Sequence, residues 1–254
     1  MSLKVVSIIF AISIIYFTII FSSSSSSSSS SYSNNNFLFS VEAQQPSTIS
    51  DHEFHGYLEQ MIGHLDASIL NVQNNNSILA VAHALHPIEE IVDVINSRLV
   101  QTNETLTKDF SGKLNKYVQT VRSDNLNKII IEKKELEKLL KNALDQSISL
   151  EKRSNRDHIL NVTADLITIA SEEYAEAMSQ GKIINLLEYQ DGQQFFNRAI
   201  NLLDKSQAYL SENDKNYFTG LNKLKKGLDS KIDPSEIDMN VKDMLCEIKK
   251  GFYC

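Results

Sequence analysis

The octet His83-Ala-Leu-His86-Pro-Ile-Glu89-Glu90 places two imidazoles and two carboxylates in an otherwise apolar stretch. From residue 78 to residue 92, these four side chains are the only ionisable groups. Ionisable groups withdrawn from water need polar partners or a metal ion. Because spacings of three and four residues put side chains on adjoining turns of a helix, all four are candidate metal ligands.

The proline in this octet carries a second prediction. Pro87 lacks the backbone N–H that would reach the carbonyl of His83, so we expect the helix to bend here and open room for a ligand. An alternative interpretation needs no metal. In it, His86 caps a helix that restarts at Pro87, and the two glutamates favour its first turn by complementing the helix dipole.

Further candidate ligands lie on the first amphipathic helix, which the apolar spacing predicts over residues 51–73. His55 and Glu59 fall on one flank of its apolar stripe, whereas His64 lies at the opposite border. Imidazole together with carboxylate suits iron, zinc or copper, and residue types alone do not choose among these metals. The alternative is that the flank histidines only face solvent.

The segment Glu172 to Ala199 offers inward-facing carboxylates where two helices meet at Gly181. Glu173 is in register with the apolar stripe of one helix, and Glu188 and Asp191 line up with the stripe of the next. Carboxylates that project inward from facing helices build cation sites in helical bundles, so Glu173 and Glu188 are candidate ligands. The alternative is that they only complement a helix dipole.

The periodicity that positions these residues predicts an all-α fold. Three prolines and eight glycines interrupt the 254 residues, and apolar side chains recur at helical spacing from Asp51 onward. We expect an antiparallel bundle of seven to eight helices, which buries such stripes. Helices are predicted at about residues 51–73, 77–99, 105–121, 127–148, 156–179, 185–210 and 213–228, with a last one after Asp233-Pro234-Ser235.

Three segments organise the chain. Residues 1–21 contain an uncharged apolar run whose 17 residues reach about 25 Å as a helix, which fits a signal peptide or a membrane anchor. Residues 22–50 form a Ser/Asn-rich linker, and residues 51–254 form the bundle. We therefore expect an extracytoplasmic protein, secreted or held at the membrane by an uncleaved leader. Cys246 and Cys254 either pair or remain separate thiols.

Composition and motifs exclude several function classes. The net charge of -7 disfavours nucleic acid as a partner. The sequence has no glycine-rich phosphate loop, no nucleophile elbow and no His-Glu-x-x-His pair, so we do not expect an enzyme. A haem or oxidase-type bundle enzyme is a minor alternative.

Two patches of the chain carry a family resemblance. AHALHPIEE and EEYAEAMSQGKIINLLEYQDGQQF, within about residues 52–205, resemble the extracytoplasmic helical domain of prokaryotic high-affinity iron permeases. The chain is more distantly similar to imelysin-like iron-uptake proteins, whose His-x-x-Glu motif is matched by His86 and Glu89. The resemblance implies iron as the metal, with Glu173 and Glu188 as further ligands. The permease's Arg-Glu-x-x-Glu motifs are missing, and Leu85 replaces the imelysin glycine.

These observations lead to one functional hypothesis and one alternative. The hypothesis is an extracytoplasmic protein that binds a transition metal, iron by resemblance, and assists or regulates uptake with a membrane permease or another uptake protein as partner. The alternative is a membrane-tethered interaction or sensor domain whose octet shapes a helix and binds no metal.

Overall fold

The structure is a computed structural model that describes residues 49–248. The predicted leader, all but the last two residues of the linker, and Cys254 with its pairing to Cys246 lie outside the described residues. Within residues 49–248, no helix has both the length and the apolar character needed to cross a membrane.

The described part of the chain is almost entirely helical, which confirms the predicted all-α class. The only strands in it are the two-residue segments Met178–Ser179 and Lys182–Ile183, which pair antiparallel around Gly181 at φ +72°. The helices are α1 (Asp51–Gln73), α2 (Ser77–His86), α3 (Val92–Thr102), α4 (Glu104–Arg122), α5 (Leu126–Ser147), α6 (Leu150–Arg153), α7 (Arg156–Ala177), α8 (Leu186–Lys205), α9 (Lys215–Asp229) and α10 (Pro234–Ile248).

Side-chain caps set where most of these helices begin. The Ser50 hydroxyl accepts from the backbone N–H of Glu53, whose carboxylate accepts from the Ser50 N–H, and together they form a capping box for α1. Asparagine side chains cap the first turns of α2, α4, α5, α7 and α8. The sequence therefore encodes the helix starts locally, and they lie within about three residues of the predicted ones.

The predicted second helix, residues 77–99, is not continuous. A π-helical turn, Pro87–Ile91, separates α2 from α3, and the N–H of Val92 donates to the carbonyl of Pro87. A new helical segment does begin at Pro87, with Glu89 and Glu90 in its first turn, but the side chain of His86 makes no capping hydrogen bond to it. The predicted helix over 185–210 also ends early, at Lys205, and a short 3₁₀ turn, Gln207–Tyr209, follows it.

The helices build two apolar cores. Helices α1 to α5 share one cluster of buried side chains, and α7 to α10 share the other. Helix α1 joins the two halves, because it packs against α2 and α5 on one side and against α7 and α8 on the other. The contact between α1, α2 and α8 is therefore the seam between the cores.

Two glycines allow α8 to pack closely against its neighbours, one at this seam and one within a core. A Cβ atom on Gly63 of α1 would lie 2.9 Å from the ring of Phe195 on α8. A Cβ atom on Gly192 of α8 would lie 2.9 Å from the backbone carbonyl oxygen of Ala170 on α7. Both distances are shorter than non-bonded carbon contacts allow, so larger residues would push α8 away from its neighbours.

We expect Gly192→Ala to lower the free energy of unfolding by about 1–3 kcal/mol, because the backbone carbonyl it meets cannot move aside. Gly112→Ala is the matched control, since the exposed Gly112 on α4 has no atom within 4 Å of the added methyl group. That control should stabilise the protein by about 0.5–1 kcal/mol. Urea unfolding of the full-length variants measures both changes, and equal effects would contradict the close packing of α7 on α8.

Candidate metal centre

Four side chains from three helices converge at the seam between the two cores. They are His64 on α1, His83 and His86 on α2, and Asp191 on α8, and one potential ligand atom from each lies within 4.8 Å of the others. His64, His83 and Asp191 are at most 2% exposed, and His86 is 8% exposed. The cluster is therefore a polar centre enclosed by apolar helices.

The Asp191 carboxylate is the common acceptor of the three imidazoles. Its Oδ1 lies 2.8 Å from Nδ1 of His64 and 3.0 Å from Nδ1 of His83. Its Oδ2 lies 3.1 Å from Nδ1 of His86. Because a carboxylate only accepts, each Nδ1–H donates to it, and all three rings present the same nitrogen to one point.

This arrangement shifts the proton equilibria of the site. Burial raises the pKa of Asp191, but the charge and hydrogen bonds of the three histidines outweigh it and hold the pKa well below its usual value. Burial lowers the pKa of His86, but the hydrogen bond to Asp191 and the charges of Glu90, Asp191 and Glu188 raise it to about 9. The metal-free centre thus pairs an ionised carboxylate with a protonated His86 at neutral pH.

The side-chain amides of Gln190 and Asn71 hold the Nε2 atom of His83 through two hydrogen bonds. Its Nε2–H donates to Oε1 of Gln190 over 2.8 Å, and the same oxygen accepts from the Asn71 amide over 2.7 Å. The Asn71 amide also donates to the backbone carbonyl of Ala67, which fixes its orientation. A histidine whose Nε2 carries the proton can offer its Nδ1 lone pair to a metal once the Nδ1 proton leaves.

His64 is positioned by packing. Its ring meets Phe195 edge-on, with ring centroids 5.0 Å apart, and meets His86 edge-on at 5.1 Å. Gly63, the residue before it, lets α1 approach this part of α8. The ring orientation is thus fixed by the helix contact itself.

The two glutamates of the octet have different surroundings. Glu90 lies 3.8 Å from Nε2 of His64 through one oxygen and 3.8 Å from Nδ1 of His86 through the other. Glu89 is exposed and does not belong to the four-residue cluster. The structure therefore brings Glu90, rather than Glu89, to the edge of the centre.

Two further predicted carboxylates lie beside the centre. Burial together with the charge and hydrogen bond of Glu188 raises the pKa of Glu173 to about 10, so Glu173 is protonated at neutral pH. The charge of Glu188 also acts on His86. Both residues border the four-residue cluster without belonging to it.

His55 and Glu59 lie elsewhere on α1. His64 lies nine positions after His55, which is roughly 13 Å along the helix. The ring of His55 is 3.0 Å from Nε2 of His158, and Glu59 binds Arg198 at 2.8 Å. Burial raises the pKa of Glu59, but His55 and Arg198 outweigh it and keep the pKa below its usual value, so this carboxylate already has a cation as its partner.

Two members of the centre were not among the candidate ligands chosen from the sequence. The sequence places His64 at the border of the α1 stripe and aligns Asp191 with the α8 stripe, but these positions alone do not indicate ligands. The signal for His64 was its register with Met61, Ser68 and Asn71 on the face that α1 buries. Asp191 lies 127 residues from His64, and no local pattern links them.

The donor set fits a transition metal. Three imidazoles and one carboxylate are ligands that iron, zinc and copper accept. Four donor atoms at ~2.0–2.2 Å from a cation are roughly 3.3–3.6 Å apart, so ring movements on the order of 1 Å would convert the hydrogen-bonded cluster into a coordination shell. The outer nitrogen of His83 already donates to an amide oxygen, as ligating histidines usually require.

One family model matches part of the chain. Residues 149–252 match the iron permease-associated 4-helix bundle domain, which confirms the resemblance to the iron permease helical domain for the second of the two patches; the AHALHPIEE patch lies outside the match. The match spans α6 to α10, less than half of the chain, and it includes Asp191 but none of the three clustered histidines. No curated protein and no solved structure matches the chain significantly.

The hydrogen bond between His83 and Gln190 leads to a prediction. We expect Gln190→Leu to weaken metal binding by roughly 10–100-fold, because His83 loses the acceptor that fixes its Nε2 proton. Gln193→Leu is the control on the same helix, since Gln193 donates to Asp229 at an exposed position. Titration calorimetry of the full-length variants with Zn²⁺ measures the two affinities. An unchanged affinity of Gln190→Leu would show that the hydrogen bond between Gln190 and His83 does not contribute to metal binding.

Proposed function

We propose that this protein binds a transition-metal ion through His64, His83, His86 and Asp191, and that it serves iron uptake as a binding protein rather than as an enzyme. The observation that supports this most strongly is the convergence of four buried donor groups from three helices. Three rings that turn the same nitrogen toward one carboxylate form a preorganised ligand set.

The family match is the reason for choosing iron among the metals that suit these donors. The matched domain is described as iron permease-associated, and it contributes Asp191 to the centre. We infer that the cargo is iron and that the partner is a permease or another uptake protein at a membrane. The apolar leader, which lies outside the described residues, supports an extracytoplasmic location.

One observation favours a second candidate function, an interaction or sensor domain without a metal. In the part of the chain that the structure describes, every buried side-chain nitrogen or oxygen has a hydrogen-bond partner. The cluster can therefore stand as a polar network that fixes how the two cores pack. The two functions differ in whether the centre takes up a cation.

Metal titration of the full-length protein separates them. We expect about one equivalent of Fe²⁺ under anaerobic conditions, and of Zn²⁺ or Co²⁺, to bind the wild type and to be lost in the double variant His64→Ala/His83→Ala. His52→Ala is the control, because His52 pairs with Asp165 outside the cluster. Circular dichroism shows whether the helices persist in each variant.

The outcomes are distinct. Stoichiometric binding by the wild type and the control, lost in a folded double variant, supports the metal centre. Failure of the folded wild type to bind any of the three ions at micromolar concentration would contradict the proposal and favour the interaction domain.

The pKa of His86 gives a pH dependence with a definite sign. Because protonated His86 is favoured below pH 9 and a metal needs the unprotonated ring, the cation must displace a proton. We expect the apparent affinity for Zn²⁺ to rise with pH between pH 6.5 and 8.5, by at least about tenfold per pH unit, because at least one proton must leave the ligand set. Calorimetry in buffers of different ionisation enthalpy should also show proton release, and an affinity that is flat over this range would contradict the account.

A further inference from the structure

Glu90 connects the buried centre to solvent. Its side chain is 52% exposed, whereas the side chains of His64 and Asp191 are 2% and 1% exposed. Each of its two carboxylate oxygens lies 3.8 Å from an imidazole nitrogen, one on His64 and one on His86. A cation that arrives in water therefore meets this carboxylate before it meets the enclosed donors.

The spacing of Glu90 from His86 and the π-helical turn that contains it both agree with this position. Hydrogen bonding from residue i+5 to residue i widens a helical turn beyond four residues. A residue four positions after His86 then stays near the His86 face, while one three positions later turns away. Glu90 accordingly contacts His86, and Glu89 is exposed. Pro87, which lacks an N–H, favours such a departure from α-helical bonding at this point.

The charge around Glu90 suits a hydrated cation. Glu90, Glu188 and Asp191 all act electrostatically on His86, so negative charge extends from the exposed carboxylate to the buried one. A carboxylate at the surface can replace one water of a hydrated dication while the remaining waters stay bound. The Nδ1 atom of His86, 3.8 Å from Glu90, is then in place to replace a further water.

We propose that Glu90 is the relay ligand of the centre: it takes a hydrated divalent transition-metal cation from solvent and passes it to the three Nδ1 atoms and Asp191. This inference rests on the proposed function of the centre. Since a relay ligand lowers the barrier in both directions, it changes how fast metal enters and leaves more than how tightly metal is held.

The test uses stopped-flow absorption of Co²⁺, whose visible bands report ligand binding, with full-length wild type, Glu90→Gln and Glu89→Gln. Glu89→Gln removes the same charge from the same turn, so it measures general electrostatic attraction alone. We expect Glu90→Gln to slow both association and dissociation by about tenfold or more, with an equilibrium affinity within about threefold of the wild type. Glu89→Gln should stay within about twofold of the wild-type rates.

Three results would overturn the relay role. Glu90→Gln rates equal to those of the wild type would show that metal takes another path. Loss of equilibrium binding in folded Glu90→Gln would make Glu90 a permanent ligand instead. Equal slowing in both variants would reduce its role to surface charge. Absence of Co²⁺ binding in the wild type would overturn the metal centre itself, whereas the first three results leave that centre intact.

Discussion

The structure depends on one buried negative charge. Asp191 is 1% exposed and accepts from three imidazoles on two other helices. A carboxylate removed from water costs several kcal/mol unless charges and hydrogen bonds compensate it, so α1, α2 and α8 must meet where they do. Gly63 permits the approach of α1 to α8, because it leaves the space that a methyl group would fill.

The centre draws on both halves of the chain. The segment that matches the iron permease-associated domain supplies Asp191, together with the neighbouring pair Glu173 and Glu188. The histidines come from α1 and α2, which precede that segment and belong to the other core. The proposed metal chemistry thus requires the two cores to pack together, and the matched segment alone does not contain it.

The sequence predicted most of the fold because its signals are local. Apolar spacing and asparagine or serine caps determine the helices within a few residues. The π turn was not predicted, since a proline in an apolar helix indicates a disturbance without specifying its hydrogen bonding. Glu90, which lies in that turn, contacts His86 four residues earlier, whereas Glu89 is exposed.

Only part of the site was predicted, because only some of its residues have a local signal in the sequence. His83 and His86 stood out because they interrupt an apolar stretch. On α1, however, His55 and His64 both lie at borders of one stripe, and only packing against α8 distinguishes them. The contact between His64 and Asp191 spans 127 residues, so it depends on the assembled fold and on no local pattern.

The central claim is that these four side chains hold one cation. Crystals of the full-length protein grown with Zn²⁺ and measured at the zinc absorption edge would test it most directly. The account predicts one anomalous peak at ~2.0–2.2 Å from Nδ1 of each of His64, His83 and His86 and from an Asp191 oxygen. A peak confined to other residues, or an intact hydrogen-bonded cluster in a zinc-saturated crystal, would contradict it.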